Sequence, residues 1–137
     1  MICRMLFCFV VMATAVGCGM ESEGPKRFTV KGTVTYKGTP VPVGMVRLSP
    51  DTSKGNQGPG AIAEIKDGHF STITDKGAVA GPMLVYVEGY DGVPLSKNTE
   101  IRDLGKSLFD QYKKELVIPA EDLEIEIEVP ERGGRTF

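Results

Sequence analysis

The sequence predicts an all-β protein, a seven-stranded antiparallel β-sandwich preceded by a cleaved signal peptide. Three observations indicate this fold class. Seventeen glycines and nine prolines in 137 residues indicate short elements joined by tight turns. Apolar and polar residues alternate in several short segments, which is the period-two pattern of half-buried strands. Asp67-Gly68 lies between two such segments and is a residue pair that favours a two-residue type I′ hairpin turn.

The predicted strands are distributed over 28–130 and include every strongly alternating segment of the chain. They occupy 28–36, 44–48, 61–66, 69–73, 83–89, 115–118 and 123–129. The hairpin turn is predicted to pair Lys66 with His69 and to place Ile65 opposite Phe70 on the buried face. In the strand at 83–89, three residues are predicted to point inward: Met83, Val85 and Val87.

The last strand, 123–129, alternates apolar residues with glutamates. Its acidic residues are predicted to form a solvated row that discourages edge-to-edge aggregation: Glu124, Glu126 and Glu128. Two longer loops separate the strands. The loop 49–60 is rich in Gly, Pro, Ser and Asn, and 90–114 shows partial helical spacing that Gly105 interrupts. The second is therefore predicted to be a long loop with at most one helical turn.

An apolar run near the start of the chain has the anatomy of a secretory signal. Arg4 supplies a positive charge, and 5–16 is an uncharged, mostly apolar segment followed by small residues. As a helix rising about 1.5 Å per residue, this run reaches roughly 18 Å, well short of the ~30 Å hydrocarbon core. We therefore expect it to be removed rather than to remain as a membrane span.

Two cleavage sites compete at the end of this run. The segment 13–15, Ala-Thr-Ala, satisfies the small-x-small rule of an ordinary signal peptidase, which releases a soluble chain from Val16. The segment 15–18, Ala-Val-Gly-Cys, resembles the lipobox of bacterial lipoproteins. That resemblance implies cleavage before Cys18, a diacylglyceryl group on its thiol and acylation of the new amino terminus, with chains such as palmitate.

The cysteines favour the lipobox interpretation. Cys3 and Cys8 lie inside the run that is removed, so Cys18 is the single cysteine of the mature chain and has no intramolecular disulfide partner. A free exported thiol is unusual, whereas lipidation consumes it. We therefore predict 1–17 to be a lipoprotein signal peptide and Cys18 to be the lipidation site through which the protein binds the membrane.

The polar, aperiodic segment 18–27 is predicted to be a flexible tether. A chain of this length has a root-mean-square reach of about 15–18 Å. The β-sandwich domain is predicted over 28–130, and 131–137 is a C-terminal tail. The chain is thus expected to hold one small domain close to a membrane.

The side chains that carry catalysis or bind metals are scarce. His69 is the single histidine and is expected to face water beside the hairpin turn, so we predict neither a nucleophile–base set nor a zinc site. The glutamate row is flat and does not converge as calcium ligands do. The formal charge of -2 gives no electrostatic reason to expect nucleic acid. We predict no enzyme activity, no cofactor and no metal.

Aromatic residues are the remaining candidates for ligand binding. The chain has no tryptophan, and a platform for a sugar would consist of Tyr86, Tyr90, Phe109 and Tyr112. Tyr90 and Tyr112 are the candidate ligand-binding residues because they lie in a long loop. The alternative function is therefore a surface receptor that binds a glycan or peptide through 49–60 and 90–114, since loops at sandwich ends commonly carry recognition.

Three segments resemble successive blocks of the carboxypeptidase-regulatory-like, or transthyretin-like, domains of small bacterial lipoproteins. They are VKGTVTYKGTPVPVGMVRLSP, AEIKDGHFST and AGPMLVYVEG, within 30–129. The resemblance implies an immunoglobulin-like sandwich at the cell surface or in the periplasm, serving as a structural or binding module. In Gram-negative lipoproteins an aspartate after the lipidated cysteine often retains the protein in the inner membrane. Gly19 stands there instead, which suggests the outer membrane.

Transthyretin-related enzymes with a similar sandwich hydrolyse 5-hydroxyisourate. They use several histidines and arginines and a C-terminal Tyr-Arg-Gly-Ser sequence. This chain has one histidine and ends in RGGRTF. We therefore do not expect that activity here.

Overall fold

The computed structural model of the chain describes residues 24–96 and 103–131. The predicted signal peptide at 1–17, the lipidation site at Cys18, most of the tether and 132–137 of the tail lie outside the described residues. Within them, ten strands and one short 3-10 helix at Thr52–Lys54 follow one another. The strands are β1 (Arg27–Phe28), β2 (Val30–Tyr36), β3 (Thr39–Pro40), β4 (Val43–Pro50), β5 (Ala61–Lys66), β6 (His69–Ser71), β7 (Ala78–Val79), β8 (Gly81–Tyr90), β9 (Tyr112–Ile118) and β10 (Leu123–Val129).

Eight strands form one sheet in the order β10-β2-β6-β5-β4-β8-β9, with β3 also beside β2, while β1 and β7 form a separate two-stranded ribbon. The all-β prediction is confirmed. The strand count differs from the predicted seven because β1, β3 and β7 have two residues each, too few to show alternation. The prediction of purely antiparallel strands is wrong for one pair of neighbours, because β10 and β2 are parallel. That pairing joins the two ends of the domain and has no local sequence signal.

The hairpin between β5 and β6 forms as predicted. Asp67 and Gly68 have φ angles of 49° and 79°, both in the left-handed region that a type I′ turn requires. The flanking pairs are those expected from the turn, Lys66 with His69 and Ile65 with Phe70. The turn is also fixed from outside, because the amide of Gly68 donates to the carbonyl of Val41 at 2.7 Å. Local turn chemistry thus sets the register of this hairpin.

One cluster of buried side chains forms the core, and it includes residues from both edge strands of the sheet. Ile118 of β9 and Ile127 of β10 belong to the same cluster although their strands lie at opposite margins. The sheet must therefore curl over itself to bring its margins around one interior. Three side chains of β8 are buried there as predicted: Met83, Val85 and Val87. Burying each such aliphatic side chain contributes about 1.5–3 kcal/mol relative to leaving it exposed.

The strand pairings give the sheet two ends. The starts of β2, β5, β8 and β10 lie together with the ends of β4, β6 and β9, and we call this the entry end because the chain reaches β2 there. The opposite end is called the far end. The entry end carries 51–60, 72–77 and 119–122, whereas the far end carries the turns 37–38 and 67–68 and the loop 91–111.

The edge strand β9 is longer than the predicted 115–118, since it begins at Tyr112. Its residue Lys114 pairs with the buried Val85 and therefore stands on the core-facing side of the sheet, yet it is exposed. A charge on the inner side of an edge strand opposes pairing with the edge of another sheet.

Candidate functional site

The far end contains a cleft of about 530 Å³. It lies between the start of β4, the β5–β6 hairpin and the loop 91–111. Its lining includes Pro42, Val43, Lys66, Asp67, Asp91 and Leu104. The cleft thus combines an apolar floor from β4 and the loop with charged side chains from the hairpin.

One wall of the cleft is held by Asp91, at the point where β8 ends. Its Oδ1 accepts hydrogen bonds from the backbone amides of Val93 at 2.9 Å and Lys106 at 3.0 Å. The amide of Gly92 donates to the carbonyl of Leu104 at 3.0 Å. These bonds tie the two described parts of the loop to each other beside the cleft.

Asp103 holds the other part of the same wall. Its Oδ2 accepts from the amides of Leu95 and Ser96, both at 2.7 Å, and its Oδ1 accepts from the amide of Gly105 at 2.9 Å. These backbone bonds, that of Gly105 foremost, lower the pKa of Asp103 below the ordinary aspartate value. The carboxylate therefore stays ionised at neutral pH.

Gly105 fits between these anchors because it has no side chain. Its φ is 86°, in the left-handed region. A Cβ at this position would collide with Oδ1 of Asp91 and with the backbone of Val93. The glycine that interrupts the helical spacing of the sequence is thus the residue that allows the loop to close on Asp91. Neither 91–96 nor 103–111 contains a helical turn, so the described part of this segment is loop.

The structure does not bring Tyr90 and Tyr112 together. Tyr112 pairs with the buried Val87 and packs against the core, so it lies on the inner face of the sheet. Tyr90 is three residues beyond Val87 along the alternating strand β8 and lies on the outer face. A platform formed jointly by these two rings is therefore not supported by their positions.

The rings of the other two aromatic candidates, Phe109 and Tyr86, already contact other side chains. Phe109 is buried and its ring centroid lies 5.1 Å from that of Tyr36. Tyr86 lies on the outer face between two cations, with the Arg47 guanidinium 4.9 Å and the Lys113 ammonium 5.9 Å from its ring centroid. These cations compete with a sugar for the ring, so Tyr86 is a poor stacking surface.

The loops 49–60 and 90–114 do not form one site. The first lies at the entry end and the second at the far end, separated by the length of β4. That strand has eight residues, which at roughly 3.3 Å each place the two loops about 23 Å apart. The hypothesis of a receptor site that uses both loops is therefore corrected to a site that uses one of them.

The loop 51–60 is fastened by its own polar side chains. Asp51 caps the 3-10 helix, and its Oδ1 accepts from the amide of Ser53 at 3.1 Å and from its hydroxyl at 2.5 Å. The Lys54 ammonium donates to Glu115 of β9. The Ser53 hydroxyl bond lowers the pKa of Asp51, and the Glu115 bond raises the pKa of Lys54. Ser53 donates to a carboxylate already committed to the cap, which is a structural arrangement and not a nucleophile–base pair.

His69 is exposed and lies opposite Lys66 beside the turn, as predicted. The three glutamates of β10 alternate outward and are exposed, and one of them, Glu124, lies 3.3 Å from the Lys31 ammonium. Within 24–96 and 103–131, no group of His, Cys, Asp and Glu side chains is arranged to hold a metal ion. In the same described part of the chain, no helix is long and apolar enough to cross a membrane.

The two aspartates that shape the cleft were not predicted from the sequence. Both leave a local trace, because Asp91 is followed by Gly92 and Asp103 stands two residues before Gly105. Such Asp–Gly spacings are typical of side chains that bond the backbone two residues ahead. No protein-family model matches the chain, and a search of curated proteins finds no significant sequence match.

Proposed function

We propose that this protein is a lipoprotein of the cell envelope, held in the outer membrane by acyl chains on Cys18. Its β-rich domain serves as a structural or binding module without catalytic activity. We further propose that the curled sheet closes as a transthyretin-like, immunoglobulin-like β-sandwich. The turn and core segments that resemble carboxypeptidase-regulatory-like domains lie in β2, β4, β5, β6 and β8, which are the central strands of the sheet.

The observation that carries the proposal is the position of Cys18. It follows a short apolar run and small residues, and no other cysteine follows it. The described chain is compatible with a tether at this point, because Gly24, Pro25 and Lys26 are exposed and regular structure begins at Arg27. A single acyl chain binds a membrane only marginally, whereas two or three, at about 0.8 kcal/mol per buried CH₂, anchor a protein stably.

Intact mass of the protein extracted from membranes tests this proposal. The expected species begins at Cys18 and carries the added mass of a diacylglyceryl group, with or without an amino-terminal acyl chain. Cys18→Ala should abolish the added mass, and Cys8→Ala should leave it unchanged because Cys8 is removed with the signal. An unmodified chain that begins at Val16 contradicts the lipid anchor.

A receptor function is the second candidate, and the far-end cleft favours it. The cleft is lined by β4, the β5–β6 hairpin and the loop 91–111, so a receptor site at this end needs no contribution from 51–60. For a glycan ligand, binding on a glycan array should be lost in Tyr90→Ala and retained in Tyr86→Ala, whose ring is covered by cations. Equal loss in both variants argues against recognition at the far end.

A further inference from the structure

We propose that the far-end cleft docks a polypeptide segment that carries apolar side chains next to lysine or arginine. This inference rests on the binding-module role proposed above and not on the lipid at Cys18. Three properties of the described residues point to such a partner: exposed apolar side chains, a hydrogen-bonded backbone at 91–96 and 103–106, and an acidic lining.

Two exposed large apolar side chains lie on the loop beside the cleft. Val93 and Leu95 are 62% and 65% exposed, and they lie two residues apart on the loop that forms one wall. Pro42 and Leu104 continue the apolar surface into the cleft itself. Apolar side chains grouped in this way, with a polar rim, are typical of protein interaction surfaces, whereas single exposed ones are common everywhere.

The backbone that presents these side chains is held before any partner arrives. The amide of Val93 donates to Asp91 and that of Leu95 donates to Asp103, at 2.9 and 2.7 Å. Both carboxylates also bond residues on the returning part of the loop. Because these bonds hold the backbone of 91–96 against 103–106, docking has less entropy of ordering to offset there.

The charge of the lining selects the partner. Four acidic residues line the cleft and Lys66 is the one basic residue among its lining side chains. Asp67 stands in the hairpin turn at the rim and is exposed. A surface of this sign attracts cationic segments and repels anionic ones, including nucleic acid and acidic lipid headgroups. None of the residues that line the cleft is aromatic, so a sugar bound there would have to stack on a ring outside the lining, such as Tyr90 at the end of β8.

Defined peptides test the proposal with the full chain held in zwitterionic nanodiscs. The probes are fluorescent decapeptides of alternating leucine and lysine, leucine and glutamate, or serine and lysine, with empty nanodiscs as the blank. We expect the leucine–lysine peptide to bind at least about tenfold more tightly than either of the others, since it alone matches both the apolar surface and the charge.

Variants and amide mapping locate the binding. Val93→Ser combined with Leu95→Ser should weaken the leucine–lysine peptide at least about tenfold, and Asp67→Lys should weaken it and reduce its salt dependence. Ile62→Ser is the matched control, because Ile62 is 56% exposed on another part of the surface. In ¹⁵N spectra the amides of Gly92, Val93 and Leu95 should shift, and those at the entry end should not.

Several results overturn the proposal. They are absence of binding by the leucine–lysine peptide, equal binding of the leucine–glutamate peptide, and equal weakening by Ile62→Ser. Amide shifts centred away from 92–95 have the same meaning. Intact mass separates this failure from a failure of the anchor. A lipidated chain that does not bind the peptide overturns the docking proposal alone, and an unlipidated chain that binds it free in solution overturns the anchor alone.

Discussion

Thr72→Val tests how the first residue of β2 is held in place. Thr72 is 3% exposed and lies just after β6. Its Oγ1 accepts a hydrogen bond from the buried amide of Val30 at 3.0 Å, and its own amide donates to the carbonyl of Val30 at 2.9 Å. Thr72 therefore satisfies both backbone groups of Val30, one of them through its side chain.

Valine has nearly the shape of threonine but offers no acceptor. In Thr72→Val the Val30 amide stays buried and loses its partner, which costs about 1–3 kcal/mol. For a domain of about 100 residues, each kcal/mol lowers Tm by roughly 4 °C. The expected fall in Tm is therefore about 4–12 °C.

Thermal and urea unfolding followed by circular dichroism measure this change. Thr72→Ser keeps the hydroxyl and removes only a methyl group, so it should be less destabilising than Thr72→Val. Thr74→Val is an exposed control that should leave Tm nearly unchanged. If Thr72→Val is as stable as the parent chain, or more stable than Thr72→Ser, the side-chain bond to Val30 does not hold the start of β2.

Three further substitutions probe the far-end loop and the sheet edge. Gly105→Ala should lower the free energy of unfolding in urea more than Gly38→Ala does. Both glycines have a positive φ, which costs alanine about 1–2 kcal/mol, but only at Gly105 does the new Cβ also collide with Asp91. Equal losses contradict the collision. Backbone hydrogen bonds lower the pKa of Asp103 in the folded state. The ionised carboxylate therefore stabilises the fold fully above the ordinary aspartate pKa of about 4, and this stabilisation is lost as pH falls through the lower pKa of the folded state. Asp103→Asn should flatten the fall in Tm below about pH 4, and an unchanged profile contradicts this. Lys114→Val should promote self-association in size-exclusion chromatography, whereas a monomeric variant argues against the protective role of this inward charge.

The parts of the fold that could be predicted from the sequence are those set by local interactions. The turn at 67–68 depends on two adjacent residues that tolerate left-handed backbone angles, and its register follows from the turn alone. The alternation of apolar residues and glutamates in β10 is complete within seven consecutive residues. Met83 and Val87 were assigned to the core by the same period-two rule. Each of these features depends only on neighbouring residues.

The features that were missed depend on residues far apart in the chain. The parallel pairing of β2 with β10 joins Val30 to Leu123, and no local pattern reports which strand edges meet. The separation of 51–60 from 91–111 follows from strand direction within the whole sheet. Tyr112 was assigned to a loop because it lies in 90–114, where Gly105 interrupts the helical spacing, and its packing against the core became evident only from its pairing with Val87.

The pairing of the first long strand with the last also has a mechanical consequence. A pulling force applied to the chain before Arg27 acts along the axis of β2, which has β10 on one side and β6 with β3 on the other. Interstrand hydrogen bonds run across the strands, so this force shears the seven-residue ladder between β2 and β10 as a unit instead of unzipping it bond by bond. The parallel ladder of β2 and β10 therefore opposes tension along the direction from which the chain enters the sheet.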